Sequence, residues 1–535
     1  MAATEALQLR AGALRTTLHE GRLGPVFVDG HEAWHGVHFL LRDAHWRTPA
    51  LVLAAPRTEV RAGGWRVIVD GHFDVEPRVP LRLTLDGGHD GTLCITGEAW
   101  PGADIEVNRL GLCLLHPLDL AGRELEVTHD DGRLTRSSFP VLIPAWPPFT
   151  AIRALRHPVA PGCHAVAEFE GDSFEFEDQR NNADASFKTY SRSNFMPRPY
   201  RLREGEPVRQ QLRLRVEGRA TAAPPPAAAA DTALPLPDVS SIGVEVTLDE
   251  LANAGAAVAC AAALRPDHLH LVLSARQPWP DLRALAAVLA AGGSALRLDL
   301  VDVAPAAAVP TLHALADALR VAAVTPADVA VFPSTPESVA AARAALPGCR
   351  IGGGTPDFFV QLNRAEGLPA LDFLAFSVCP IVHAADNATL VEGRRSLHGM
   401  AQTLQHRHPG VPVQLGPSRI AARRSPLGEL APSDGTRAVP LAGHDPRERG
   451  TFGAAWAAAH IAAALHAGAR AVTVANLSLC GGGSPVGELL AAAGRRRRAG
   501  GLLALCAGAG SAPHGLRIAG TDGWRDWALP LQRPR

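Results

Sequence analysis

Eight short apolar runs, each trailed by an Ala- and Leu-rich stretch of helix length, fill the chain from Ile242 to Asn476 and constrain its fold more than any other feature. Parallel strands covered on both faces read as near-continuous apolar runs, so this alternation predicts a closed parallel sheet ringed by helices, the (β/α)8 TIM barrel. The runs are Ile242 to Val246, His268 to Leu273, Ala295 to Val301, Val329 to Phe332, Arg350 to Gly353, Asp372 to Val378, Val411 to Leu415 and Ala471 to Asn476. Between them, Leu312, Leu315 and Leu319 show the spacing of one helix face.

The pattern before the barrel is different. Over residues 1–219 apolar and polar residues alternate in short runs separated by Gly and Asp turns, which predicts an N-terminal β-sandwich. Leu81, Leu83 and Leu85 share one face, as do Leu212, Leu214 and Val216. His164 to Glu177 reads as a hairpin turning at Gly171-Asp172. Residues 220–238 are Pro- and Ala-rich with no period able to contribute a face to a core, and read as a linker. The barrel then takes residues 239–494, and 495–535 form a short C-terminal tail of weak strand character, placed against the sandwich. The expected class is thus multidomain, β plus α/β.

Charge excludes one class of partner. Lys plus Arg number 52 against 53 Asp plus Glu, so no basic field exists to hold a phosphate backbone, and nucleic acid is not an expected partner. The N-terminus MAATEALQLRAG lacks the apolar core of a signal peptide, and no segment offers the roughly 18 uninterrupted apolar residues of a membrane span. A cytoplasmic protein without a membrane partner is expected. The eight cysteines are scattered with no close C-x-x-C pair and read as reduced, buried thiols, Cys379 and Cys480 among them.

In a TIM barrel the reactive groups stand on loops after the carboxyl ends of the strands. The fourth strand ends Phe332-Pro333-Ser334-Thr335 and the seventh Gln414-Leu415-Gly416-Pro417, without the two carboxylates that glycoside hydrolysis needs. The fifth leads into Gly352-Gly353-Gly354-Thr355-Pro356-Asp357, either a weak anion cradle or a tight strand-to-helix turn with Asp357 in the first helical turn. After the sixth come His383 and Asp386, a histidine and a carboxylate placed to act as base and orienter; the alternative is that Asp386 or Asn387 caps a helix beginning near Ala388. His31-Glu32-Ala33-Trp34-His35 spells H-E-x-x-H but in strand-like sequence, where the two imidazoles do not share a face, so no metal site is expected. The arginine run at 495–498 reads as a solvated helix end.

The densest ionisable segment precedes the linker. Of the 52 basic side chains a single one is lysine, Lys188, and both tyrosines, Tyr190 and Tyr200, lie close by. In FEFEDQRNNADASFKTY, strand alternation sets Phe174 and Phe176 on a core face and Glu175 and Glu177 on the other, followed by Asp178, Arg180, Asn181, Asp184 and Lys188. Such a mixture suits either a polyhydroxylated ligand or a salt-bridge lattice at a domain junction.

This segment resembles the D-apionate lactonase family, whose pattern is similar to Glu177-Asp178-Gln179-Arg180-Asn181 with Asp184-Ala185-Ser186-Phe187-Lys188-Thr189-Tyr190. The likeness continues in Asn108-Arg109-Leu110-Gly111 with Leu115-His116-Pro117, in Gly352-Gly353-Gly354-Thr355 with Leu362-Asn363-Arg364, and in Val382-His383-Ala384-Ala385-Asp386-Asn387-Ala388, and so covers most of the chain. It departs at Asn182, where the family pattern has tryptophan, and at Asn476, where a glutamate is expected. The resemblance implies a β domain, a TIM barrel and a small C-terminal β piece, acting without a cofactor to hydrolyse a branched-sugar lactone, a small-molecule partner. For that chemistry Glu177 or Asp178, or else His383 oriented by Asp386, is the expected base, with Lys188 and Arg180 at the oxyanion. Asn181, Asp184, Asn363 and Asn476 join Arg180 as expected substrate-binding residues. The alternative is a catalytically altered carbohydrate-binding or glycoside-hydrolase-like barrel.

Overall fold

The structure, a computed structural model, describes residues 6–221, 232–235, 240–498, 503–507, 514–520 and 523–528. Its chain divides into two compact units, one of residues 1–179 and 185–228 and one of residues 180–184 and 229–535.

Among the described residues the first unit is built of antiparallel β, twenty strands in one hydrogen-bonded network, with a single 3-10 turn at Leu118–Leu120. Period-two alternation builds its core: in Val79–Gly88, Val79, Leu81, Leu83 and Leu85 are buried while Pro80 and Arg82 face out. Leu212 and Leu214 of Val208–Gly218 join the same core. The predicted hairpin at Gly171-Asp172 is absent. Cys163–Glu170 and Phe174–Asp178 both run antiparallel to one neighbour, Phe149–Ala160, with Ala154 opposite Glu168 and Ile152 opposite Phe174. The chain thus continues along that neighbour through an irregularity instead of reversing. Gly171 sits there at φ +94°, and a Cβ on it would lie 2.2 Å from the Arg209 carbonyl oxygen, so close backbone approach explains the glycine.

The second unit contains the closed barrel. Its strands are β1 Ser241–Val246, β2 His268–Ser274, β3 Ala295–Val301, β4 Asp328–Val331, β5 Arg350–Phe358, β6 Leu374–Ser377, β7 Val413–Ser418 and β8 Ala469–Asn476. All neighbours are parallel, and β1 closes on β8. The outer ring includes Ala308–Val321, whose Leu312, Leu315 and Leu319 are buried. Polar side chains share the strand interiors with apolar ones: buried His270 lies 3.0 Å from Asp299 and bonds to Thr473 at 3.1 Å, and Gln414 donates to Asp328 at 2.9 Å.

Two expectations about the chain's later part are corrected. Within the Pro- and Ala-rich stretch, Thr232–Pro235 forms a strand pairing with Leu503–Ala507; residues 222–231 and 236–238 of that stretch lie outside the described residues. This strand is the edge of a four-stranded sheet, where proline's missing N–H is tolerated. The other members, Leu503–Ala507, Gly515–Gly520 and Gly523–Ala528, belong to the tail. They lie against the helices Thr451–His466 and Pro485–Arg498, where buried Leu516, Ile518 and Trp527 supply an apolar face, so the tail packs on the barrel's own helices.

Candidate active site at the barrel mouth

The carboxyl ends of the barrel strands carry three carboxylates. Glu245 occupies the inward register of β1, opposite His270 of β2. Asp302 follows β3 directly and accepts a hydrogen bond from Ser274 Oγ at 2.8 Å. Asp357 lies near the end of β5, its backbone N–H donating to Thr355 Oγ1 at 3.1 Å. The segment after β7 brings arginines to them. Arg423 places Nε and Nη2 on the two oxygens of Glu245, and Arg424 Nε donates to Asp357 Oδ1 at 3.2 Å. Arg419 donates to the Gly443 carbonyl at 3.0 Å and lies 3.8 Å from Glu448, which also accepts from the Ala421 N–H.

Asp357 and the three arginines border a pocket of about 250 Å³, solvent-open space included, which Ser377 and Cys379 also line. Burial pushes the Asp357 carboxyl up from its ordinary range against the pull of Arg424, and pushes Glu448 up against Arg419. Burial also pushes the Cys379 thiol up to about 12, with the negative charges of Asp184 and Glu448 acting in the same direction. Cys379 is therefore a neutral wall of the pocket rather than a thiolate nucleophile. Asp184 lies within its electrostatic reach.

Residues 180–184 cluster with the barrel unit, and they carry the second part of the site. Asp184 Oδ2 lies 2.5 Å from Nδ1 of His383, which stands on the loop after β6. Asn363 Nδ2 donates to Asn181 Oδ1 at 2.9 Å, while Asn363 Oδ1 accepts from Arg407 at 3.0 Å. Arg180 packs where Gly399 leaves room, since a Cβ there would come within 2.8 Å of its Nη1. The orienter expected for His383 is corrected: Asp386 caps the helix Asn387–Gly393, accepting from Thr389 N and Thr389 Oγ1 at 2.9 Å each, and the carboxylate on the imidazole is Asp184. Asn476 ends β8 as expected, but its Oδ1 caps the short helix Leu477–Cys480, accepting from Leu479 N and Ser478 Oγ at 3.0 Å.

In the β unit, Glu177 and Lys188 face each other across adjacent strands and form a buried ion pair at 3.1 Å. The Lys188 ammonium also stands 4.8 Å from the Tyr190 ring centroid. Tyr190 donates its hydroxyl to Glu175, which accepts further from Ser193 Oγ at 2.6 Å and the Asn194 N–H at 3.1 Å. Asp178 is 1% exposed, in register with Phe187.

The glycine run before Asp357 is not the strand-to-helix turn of the sequence reading. All of Arg350–Phe358 is strand, and the helix Phe359–Arg364 begins after it. Gly352 and Gly353 instead leave space for neighbours: Cβ atoms there would lie 2.3 Å from the Phe373 ring and 2.2 Å from Ser334 Oγ. His31–Trp34 is a strand, and no cluster of three or more His, Cys, Asp or Glu able to hold a metal occurs among the described residues. Sequence reasoning missed Glu245, Asp302, Arg419, Arg423 and Arg424. The available signal was Glu245, a carboxylate inside the apolar run of the first strand; the arginines stand in irregular sequence without a period.

Comparison with known proteins agrees with this architecture. Residues 1–219 match the family description "D-apionate lactonase, N-terminal domain", and residues 242–486 match "D-apionate lactonase, TIM barrel domain". A D-apionate lactonase of Brucella anthropi is 32% identical over 509 residues, 88% of this chain and 82% of that protein. Among solved structures, a GH30 endoxylanase from Clostridium papyrosolvens is 9% identical at a TM-score of 0.34, over 52% of this chain and 76% of that one. A beta-arabinopyranosidase is 9% identical at 0.29, over 65% and 66%. Those two likenesses are too slight to carry an argument. The family matches, the closed barrel and the extent of the Brucella likeness together make this chain a member of the D-apionate lactonase family.

Proposed function

We propose that this chain hydrolyses a sugar-derived lactone of the D-apionolactone kind, opening the ring to the aldonate. The reading is carried by the His383–Asp184 contact of 2.5 Å on a loop at the catalytic end of a TIM barrel, and it is supported by the family membership. A carboxylate on Nδ1 favours the tautomer that carries its proton there and the acceptor lone pair on Nε2. That nitrogen takes a proton from water as the water oxygen bonds to the ester carbon. When the tetrahedral intermediate collapses, the ring C–O bond breaks and the imidazolium returns the proton to the departing ring oxygen. His383 is favoured as base over Glu177, which is committed to Lys188 in a buried pair, and over Asp178, which is 1% exposed. The Asn181–Asn363 pair and the arginine and carboxylate groups of the mouth offer the mixed donors and acceptors that sugar hydroxyls require.

The test is a panel of aldonolactones followed with a pH indicator, since ring opening at neutral pH releases acid. Acid release by the wild-type chain and its loss in His383→Gln are expected. Lactones that bind with measurable heat but release no acid would refute a hydrolytic role.

A further inference from the structure

Arg424 stands in the mouth pocket differently from the arginines beside it. Arg423 commits Nε and Nη2 to Glu245 and is 18% exposed, and Arg419 is tied through Nη2 to the Gly443 carbonyl. Arg424 is anchored on one side only. Its Nε donates to Asp357, and its closest approach to Asp302 is 3.9 Å, outside hydrogen-bond range. Among the described residues no hydrogen bond reaches either of its terminal nitrogens, and the side chain, 37% exposed, lines the pocket. A planar guanidinium fixed through Nε presents those two nitrogens as a preset pair of donors.

We propose that Arg424 binds the carbonyl oxygen of the lactone and stabilises the negative charge that oxygen gains in the tetrahedral intermediate. The assignment rests on the lactonase reading above. As the water oxygen bonds to the carbonyl carbon and its proton passes to His383, the carbonyl π electrons move onto the oxygen; they return as the ring C–O bond breaks and the ring oxygen takes the proton. The hydrogen bonds those nitrogens offer strengthen as negative charge builds on the oxygen, so a neutral carbonyl is held weakly and the oxyanion strongly. Binding that strengthens at the transition state raises kcat rather than lowering KM.

The experiment is steady-state kinetics of Arg424→Ala on whichever aldonolactone the wild-type chain opens fastest, with and without millimolar methylguanidinium. The expected result is a loss in kcat on the order of a hundredfold, a far smaller change in KM, and partial recovery with methylguanidinium that the wild type does not show. Arg424→Ala turning over at the wild-type rate, or a loss confined to KM without recovery, overturns the assignment. Should Arg424→Ala lose its thermal transition, Arg424→Lys keeps stem and charge: reduced kcat supports the proposal and wild-type kcat refutes it. A wild-type chain that opens no lactone overturns both readings. His383→Gln inactive beside an unimpaired Arg424→Ala removes only this one.

Discussion

Asp184 and His383 lie 199 residues apart in the chain, and their side chains meet at 2.5 Å, Oδ2 against Nδ1. A carboxylate there can only accept, so Nδ1 carries the proton and Nε2 carries the lone pair that a general base needs. Asp184→Asn offers an amide N–H to Nδ1 and so favours the opposite tautomer, with Nε2 protonated and unable to act as base. We expect a loss in kcat between about a hundredfold and ten-thousandfold, with KM little altered. Steady-state kinetics on a hydrolysed lactone checks it, and wild-type turnover by a folded Asp184→Asn protein would remove the dyad from the mechanism.

Lys188 and Glu177 make a second pair, buried in the β unit with side chains 4% and 9% exposed. Removing one member of such a pair strands a charge away from water. Lys188→Met should therefore destabilise the protein by about 3–5 kcal/mol, and Glu177→Leu with Lys188→Met should recover most of that loss. Urea titration of the two variants decides it: a single-variant cost below about 1 kcal/mol would mean that water already solvates the pair. The same variant settles whether the lone lysine has a chemical role, because a folded Lys188→Met with unchanged kcat has none.

The architecture was legible in sequence for a physical reason. In Ala295–Val301, Leu296, Leu298 and Leu300 share one face and mark it as buried, while Arg297 and Asp299 on the other face are buried as well and give no such sign. The active-site groups obey no such rule. Asp386 and Asp184 are both plausible partners of His383 by chemistry, and only the folded path of residues 180–184 decides between them, while proximity in sequence favours the wrong one. Arg423 and Arg424 stand in irregular sequence where nothing periodic marks a side chain as inward. Gly171-Asp172 misled differently, since a glycine required by close backbone approach looks in sequence like a glycine required by a turn. Glu245 was readable, because a carboxylate on the inward register of a barrel strand needs a partner, and Arg423 is that partner.

Cys379 lines the pocket, yet burial holds its thiol up at about 12, so almost none is thiolate near neutral pH. Iodoacetamide at pH 8 should leave activity intact over the time that labels an exposed thiol, and Cys379→Ala should keep kcat within about threefold of wild type. Rapid inactivation by iodoacetamide, prevented by Cys379→Ala, would instead make it a nucleophile.

Buried histidines give the fold a predictable acid limit. Burial lowers His157 in the β unit and His460 in the barrel unit from 6.5 to about 4, and lowers His116 and His268 well below the ordinary value. Between about pH 4 and 6.5 the unfolded chain binds protons at these positions and the folded chain does not, so stability rises with pH across that window. The contribution is complete above about 6.5 and falls away as the pH drops toward 4, where each shift of this size removes about 3 kcal/mol. His460 isolates the effect: it stacks on Trp456 at 4.9 Å, and its Nε2 has no hydrogen-bond partner among the described residues. His460→Phe preserves the stacking and removes the proton site. Urea midpoints measured from pH 7 to pH 4.5 should fall less steeply for His460→Phe than for the wild type, and parallel slopes would mean that His460 titrates alike in the folded and unfolded chain.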